Sequence, residues 1–392
     1  MVPYLRAANV KDGTLDLTDI KEMNFSPSEQ EVFSLRSGDV LVTEGSGSLS
    51  SVGASAVWSG EIEGRVCFQN TLLRLRPRPG TDPQFLAWWC RHAFADGTFA
   101  GVAMGANIFH VSAERVKGLA VRYIALAAQR GIADYLDTET ARIDALIEKK
   151  RRMAELWEQR FRARQVALLT GTDHVHRVSN PLLGSLPAHW EAKRMKYCTT
   201  NVTVGVVVNP STYFVDDGIP FVHGTDVREG LIDRSDLKRL SAESNELLAK
   251  SKLRRGDVVA MRVGYPGRAA IVPDDLDGAN CASVLIFRKS RAFHPDLLAE
   301  FLNSPLGRLQ IESVQYGAAQ GVMNVSDAVD LVLPVPPQEE QGRVASLLQE
   351  ARVQWQTAAA LLGQQVDLLA EHRQALITAA VTGELDIPGV AA

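Results

Sequence analysis

At 392 residues, with 42 basic and 46 acidic side chains and a net charge of -4, the chain has room for two or three domains and is no polybasic coat for nucleic acid. Its composition, 46% apolar and 22% charged, is that of an ordinary globular protein. No uncharged apolar run of about 18 residues is present to span a membrane. Met1 to Arg6 does not read as a secretory leader, and Cys67, Cys90, Cys198 and Cys281 lack C-x-x-C spacing, so reduced, mostly buried thiols in a cytoplasmic protein are expected and a structural zinc site is not.

In chain order, Gly38-Asp39-Val40-Leu41-Val42-Thr43 reads as a turn followed by a strand. The stretch from Gly45 to Gly53 is rich in glycine and serine, but it lacks the G-x-x-x-x-G-K-[ST] spacing and is read as a loop rather than a phosphate cradle. Asn70 to Leu75 reads as a further strand, and Asp82-Pro83-Gln84 opens a helix from Phe85 to Ala95 whose Trp88 and Trp89 are assigned to the core. Apolar residues then recur at mostly three- and four-residue steps at Ile132, Leu136, Ile143, Leu146, Ala154, Trp157 and Leu168, with Glu139, Lys150 and Arg164 in the same register and Phe161 between. Gly171 ends that helix.

The remainder repeats this order. Gly256 to Met261 and Ala282 to Phe287 read as strands, Arg262 to Arg268 as a glycine-containing turn, and His294-Pro295-Asp296 as the start of a helix from Leu297 to Leu302. A proline-rich entry, Pro334 to Pro337, leads into a second amphipathic helix. Its seam is Val344, Leu348, Ala351, Trp355, Ala358, Leu362, Val366, Leu369, Leu376 and Ala380, interrupted at Arg373 and stopped at Gly383. The first helix has no such prolines at Val121 to Gln129, so its entry is expected to be less sharply defined.

This repetition is a duplication. Val2 to Asp16 lines up with Ile219 to Asp233 at an offset of 217, Leu35 to Leu41 with Leu253 to Val259 at 218, Val111-Ser112 with Val325-Ser326 at 214, and Gln129 to Gly171 with Gln341 to Gly383 at 212. A period so long is a duplicated domain, not a solenoid unit. Two amphipathic helices of roughly forty residues, about 60 Å each at 1.5 Å per residue, are expected to bury their stripes on each other. Leu186 to Asp217 has no counterpart before Met1, so about thirty residues of the first copy are expected upstream, with a genuinely truncated domain as the alternative.

Leu333-Pro334-Val335-Pro336-Pro337-Gln338-Glu339-Glu340-Gln341, the seam helix after it and Arg373 to Asp386 resemble the conserved region of specificity subunits of Type I restriction-modification systems. Ala133 to Lys150 resembles the central copy of that region. The resemblance implies an α+β fold with two β-rich target-recognition domains in tandem, each followed by a long helix, the helices packing as an antiparallel coiled coil with pseudo-twofold symmetry. On that division residues 1–125 form the first recognition domain, 126–171 the central helix, 172–186 a linker, 187–335 the second recognition domain, 336–384 the C-terminal helix and 385–392 a tail. It further implies a non-catalytic subunit that reads a bipartite site on double-stranded DNA and docks two methyltransferase subunits and restriction subunits. S-adenosylmethionine, ATP and Mg2+ would reside on those partners, with no cofactor on this chain.

Base discrimination in the major groove needs arginine, amide and hydroxyl groups on loops. The candidates are Thr43, Ser46, Ser48, Arg65, Asn107 and His110 in the first copy and Arg262, Tyr265, Arg268, Gln320 and Asn324 in the second. For each the competing reading is structural, a capped turn for the polar groups or a solvated surface for the arginines, including the groups Arg74, Arg76, Arg78 and Arg254, Arg255, Arg288, Arg291. Helix pairing and partner docking are assigned to Ile132, Leu136, Ile143, Leu146, Trp157, Val344, Leu348, Trp355, Leu362, Val366, Leu369 and Leu376.

Two rivals stand beside this reading. A stand-alone methyltransferase would need an [N/D]-P-P-[Y/F/W] tetrapeptide, which is missing, and a nuclease would have to be drawn from Asp173 with Glu191-Ala192-Lys193, a short chance-level pattern. The eight histidines are scattered along the chain and no metal ligand set is read from them. The other rival is a decayed subunit acting only as a helical scaffold.

Overall fold

The computed structural model describes residues 1–46, 52–105, 109–122, 124–207, 210–314 and 321–390. The chain divides into two units, one comprising Met1–Arg152 with Leu362–Ala392 and the other Met153–Leu361. Two long helices, Leu126–Leu169 and Gln338–Thr382, each contribute a segment to both units. No helix among the described residues is long and apolar enough to cross a membrane.

In unit 1 the strand Asp39–Thr43 is the centre of a three-stranded antiparallel sheet, flanked by Ser55–Trp58 and Leu72–Leu75. A second small sheet pairs Val2–Leu5 antiparallel with Lys21–Met23 and parallel with Cys67–Phe68. Successive side chains of a strand point to opposite faces. Val40 and Val42 therefore face a helical layer that includes Phe85, Trp88 and Trp89 of the helix Pro83–Ala95, while Leu41 faces Leu5, Trp58, Val66 and Phe68. Burial of both faces is why this strand reads as an unbroken apolar run rather than as alternation.

Unit 2 follows the same plan. Val258–Met261 lies between Ala269–Ile271 and Val284–Phe287, with Val202–Val204 at the outer edge. Val258 and Ala260 face the helix Pro295–Asn303, and Val259 faces Val222, Val227, Ile232 and Ala270. The strand Ile219–His223 runs parallel to Asn280–Ala282, as Val2–Leu5 does to Cys67–Phe68. The turn before each central strand needs a positive φ, +90° at Gly38 and +81° at Gly256, which only glycine adopts at little cost. The aspartate after it then accepts from the backbone N–H three residues back, Arg36 to Asp39 at 2.7 Å and Arg254 to Asp257 at 3.0 Å.

Each unit also contains a pair of antiparallel long-helix segments. In unit 1, Ile132 and Leu136 share a buried cluster with Ile377 and Ala380, Arg373 pairs with Asp144 at 2.9 Å, and Leu362 and Ile143 are buried. Leu376 packs at the edge of that cluster, and Val366 and Leu369 are half-buried. In unit 2, Phe161 and Trp355 stack at 4.8 Å between ring centroids, Trp157 is half-buried, and Leu168 clusters with Val344 and Leu348.

The expected seam of the first helix is corrected in three places. Leu146 is 39% exposed and Ile147 is buried instead; Thr140 replaces Glu139, and Gln165 replaces Arg164. The 212 offset assigns the first helix the seam register of the second. One buried line along the first helix instead runs through 132, 136, 140, 143, 147, 161, 165 and 168, closer to the 3.6-residue period of a straight helix.

Gly171 (φ +59°) and Gly383 (φ +82°) end the helices in the left-handed region. The strand Val332–Val335, which enters the second helix, pairs with Glu191–Arg194, a ladder with no counterpart among the described residues of unit 1. Glu191 and Lys193 sit on that strand as an exposed ion pair. All four cysteines are free and buried, and burial raises every one of their pKa values, Cys198 to about 11 and Cys281 to about 12.

Candidate nucleic-acid interface

Just after the two central strands the described backbone makes equivalent crossings. In unit 1, Gly45–Ser46 pairs antiparallel with Phe109–His110, and the Val111 N–H donates to the Glu44 carbonyl at 2.8 Å. In unit 2, Val263 bridges Val322, and the Met323 N–H donates to the Arg262 carbonyl at 3.0 Å. Both crossings are followed by a short helix, capped by Ser112 in one unit and begun at Asn324 in the other, where the Asn324 N–H donates to Asp327 at 3.0 Å. The offset between these N-caps is 212, so the sequence match of Val111-Ser112 with Val325-Ser326 at 214 is two residues out of structural register.

Within this frame the candidates differ in what they can reach. Thr43 is buried, and its hydroxyl donates to the Ala54 carbonyl at 3.3 Å and accepts from the Gly53 N–H at 3.1 Å. It closes the base of the loop rather than facing outward. Ser46 lies in the two-residue strand at the mouth of that loop. His110 is exposed, its ring set over Gly45 so closely that a Cβ there would lie 2.6 Å from Nδ1. Arg65 is exposed and donates to the Gln30 side-chain oxygen at 3.1 Å. Ser48, Asn107 and Gln320 lie outside the described residues.

Three of the second copy's candidates gather at its crossing, and Asn324 joins them. Arg262 donates to the Asn324 side-chain oxygen at 3.0 Å. Its backbone N–H donates at 3.0 Å to the carbonyl of Ser283, whose φ of +60° is unique among described non-glycine residues. Tyr265 is 66% exposed, and the Arg268 guanidinium sits 4.5 Å from its ring centroid, a cation–π contact that keeps the arginine at the surface. A cleft of about 240 Å³ runs beside them, lined by Gly264, Pro266, Arg308 and Glu312.

Two of the clustered arginines are excluded as free phosphate contacts. Arg76 holds the buried Asp39 carboxylate through Nε and one terminal nitrogen, both at 2.7 Å, and Arg288 holds the equivalent Asp257 at 2.6 Å. Each is an internal strut between strands.

Two cations beside the crossings escaped the sequence reading. Arg308 reaches the Tyr265 cleft from the helix Pro305–Val314, and Arg115 lies against Met104, whose backbone exchanges hydrogen bonds with His110 at 2.8 and 2.9 Å. Neither sits in a motif; only their three-dimensional neighbours mark them. Away from these loops, His174, His189 and Glu340 are the described residues whose ligand atoms come close enough together to share a metal ion.

No family model matches the chain. Among curated proteins it is 24% identical to the Type I restriction enzyme EcoKI specificity subunit of Escherichia coli K12 over 406 residues, covering 98% of this chain and 82% of that one. Among solved structures, a chain from a study of complex assembly and conformational transition in a type I R-M system aligns over 98% of this chain and 92% of its own, with a TM-score of 0.70 at 18% identity. The HsdS subunit from Thermoanaerobacter tengcongensis aligns over 98% and 91%, with a TM-score of 0.55 at 17% identity. Along nearly its whole length, therefore, the chain is similar in sequence to Type I restriction specificity subunits and has the fold of the HsdS subunit.

Proposed function

We propose that the chain is the DNA-reading specificity subunit of a cytoplasmic Type I restriction-modification assembly, each unit reading one half of a bipartite site on double-stranded DNA. The observation that carries this reading is the duplicated loop crossing. Its backbone is fixed identically at Glu44/Val111 and Arg262/Met323, while the side chains beside it differ, His110 and Arg115 in one unit against Arg262, Tyr265, Arg268 and Arg308 in the other. A common frame with unlike side chains is what two readers of unlike half-sites require.

The paired helices serve in this reading as the spacer between half-sites and as the docking surface for two methyltransferase subunits, with restriction subunits joining them. Catalysis, together with S-adenosylmethionine, ATP and Mg2+, is assigned to those partners. Methylome sequencing of host cells with and without the gene tests it. A two-part methylated motif that disappears with the chain supports the reading. An unchanged methylome in cells that retain the partner subunits would leave only a helical scaffold.

A further inference from the structure

Two of the eight histidines, 15 residues apart in sequence, meet in unit 2 beside the end of the first long helix and the start of the second. His174 lies just beyond Gly171, where the first helix stops, and His189 lies in the turn between the strands Gly184–Pro187 and Glu191–Arg194. Glu340 stands in the first turn of the second helix. The His189 Nε2 is 2.9 Å from one Glu340 carboxylate oxygen, and the His174 Nε2 is 3.8 Å from the other. The two imidazoles face edge-on at 4.8 Å between centroids, and one ligand atom from each of the three residues lies within 4.8 Å of the others.

We infer that His174, His189 and Glu340 form a binding site for a divalent transition-metal ion of the zinc type. Two imidazoles and a carboxylate supply the nitrogen and oxygen donors that Zn2+, Ni2+ and Cu2+ favour, whereas Mg2+ and Ca2+ seek oxygen alone. With metal–ligand bonds of about 2.0–2.2 Å, ligand atoms around a tetrahedral ion lie about 3.3 Å apart. The site therefore needs a contraction of about 1.5 Å at its widest, within reach of side-chain rotation because both rings are partly exposed.

The carboxylate is already oriented. Trp190 Nε1 donates to Glu340 Oε2 at 3.0 Å, the kind of outer hydrogen bond that fixes a ligating group. Three protein ligands leave a fourth position for water or an external donor. Bound there, the ion would pin three segments of unit 2 to one point: the end of the first helix, the turn before Glu191–Arg194 and the start of the second helix. That clamp would be distinct from any Mg2+ used by partner subunits.

The test is Co2+ titration of the full chain after chelator treatment, followed by the visible d–d absorption of a four-coordinate centre and by competition with Zn2+. One saturable site per chain is expected, displaced by Zn2+, indifferent to excess Mg2+, and accompanied by a rise in the thermal midpoint. His174→Gln and His189→Gln should each weaken it by at least ~10-fold, with their metal-free thermal midpoints showing that they fold, while His176→Gln should leave it intact. The site is overturned by lack of a saturable spectral change, by affinity unaltered in both ligand variants, or by loss in the His176 variant.

Discussion

The two units fasten their helix segments to the sheet domains at equivalent places with opposite chemistry. In unit 2 the buried Glu300 carboxylate receives a two-pronged contact from Arg352 and a 2.6 Å hydrogen bond from Gln165, and Arg352 also lies over the Phe161 ring. At the 212 offset these positions in unit 1 are Trp88, Thr140, Ile377 and Arg373. There the indole of Trp88 donates to Asp137 at 2.9 Å, Ile377 is buried without charge, and Arg373 turns to Asp144 near the surface.

One device is kept in both. Gln129 accepts from the Asp82 N–H and donates to the Gly80 and Ile124 carbonyls; Gln341 accepts from the His294 N–H and donates to the Ala292 and Pro336 carbonyls. The clasp survives because its partners are backbone groups, which do not change when side chains do. The ion cluster depends on three side chains at once, so it exists in one unit only.

The contrast fails first, if it is wrong, at Arg352. Arg352→Ala leaves Glu300 buried without its partner and should cost about 3–5 kcal/mol, whereas Thr140→Ala loses only a hydroxyl bond to the Leu136 carbonyl, worth about 1 kcal/mol. Denaturant unfolding of the two variants, with limited proteolysis to locate the loosened unit, measures the gap. Equal losses would mean that the two junctions are energetically alike.

Next in size is Leu362→Asp, which places a charge in the buried seam and should cost at least ~3 kcal/mol and disrupt assembly with helix-binding partners. Leu146→Asp, on the exposed face of the other helix, should stay within ~0.5 kcal/mol. A similar loss at both positions would restore the seam read from the sequence.

The clasp predicts equality. Gln129→Ala and Gln341→Ala each leave one part-buried N–H and two carbonyls, one of them buried, short of a partner and should cost ~1–3 kcal/mol, matched within experimental error. The smallest effect is expected at Arg373→Ala, whose partly exposed ion pair is worth ~0–1 kcal/mol. A large loss there would show that unit 1 relies on a charge after all.

What was legible in the sequence follows from the same contrast. The duplication, both long helices and the central strands were readable because period, glycine position and apolar burial act locally, as at Gly38/Gly256 and Gly171/Gly383. Leu146 and Ile147 could not be told apart, since adjacent apolar residues satisfy a stripe equally and only the partner helix chooses between them. Thr43 read as a loop hydroxyl because burial of its side chain depends on the return of Gly53 and Ala54. Arg76 and Arg288 read as surface charge because their aspartates lie 37 and 31 residues away. The His174, His189 and Glu340 group is a tertiary meeting of three segments and has no sequence signature.

The central claim is that the two loop crossings read separate half-sites, and the most direct measurement is the methylome of cells carrying Arg262→Ala/Arg268→Ala. Relaxed or lost specificity confined to one half of a bipartite motif, with the other half unchanged, is the predicted result. Both halves retained at full stringency in a folded, assembled variant would contradict it.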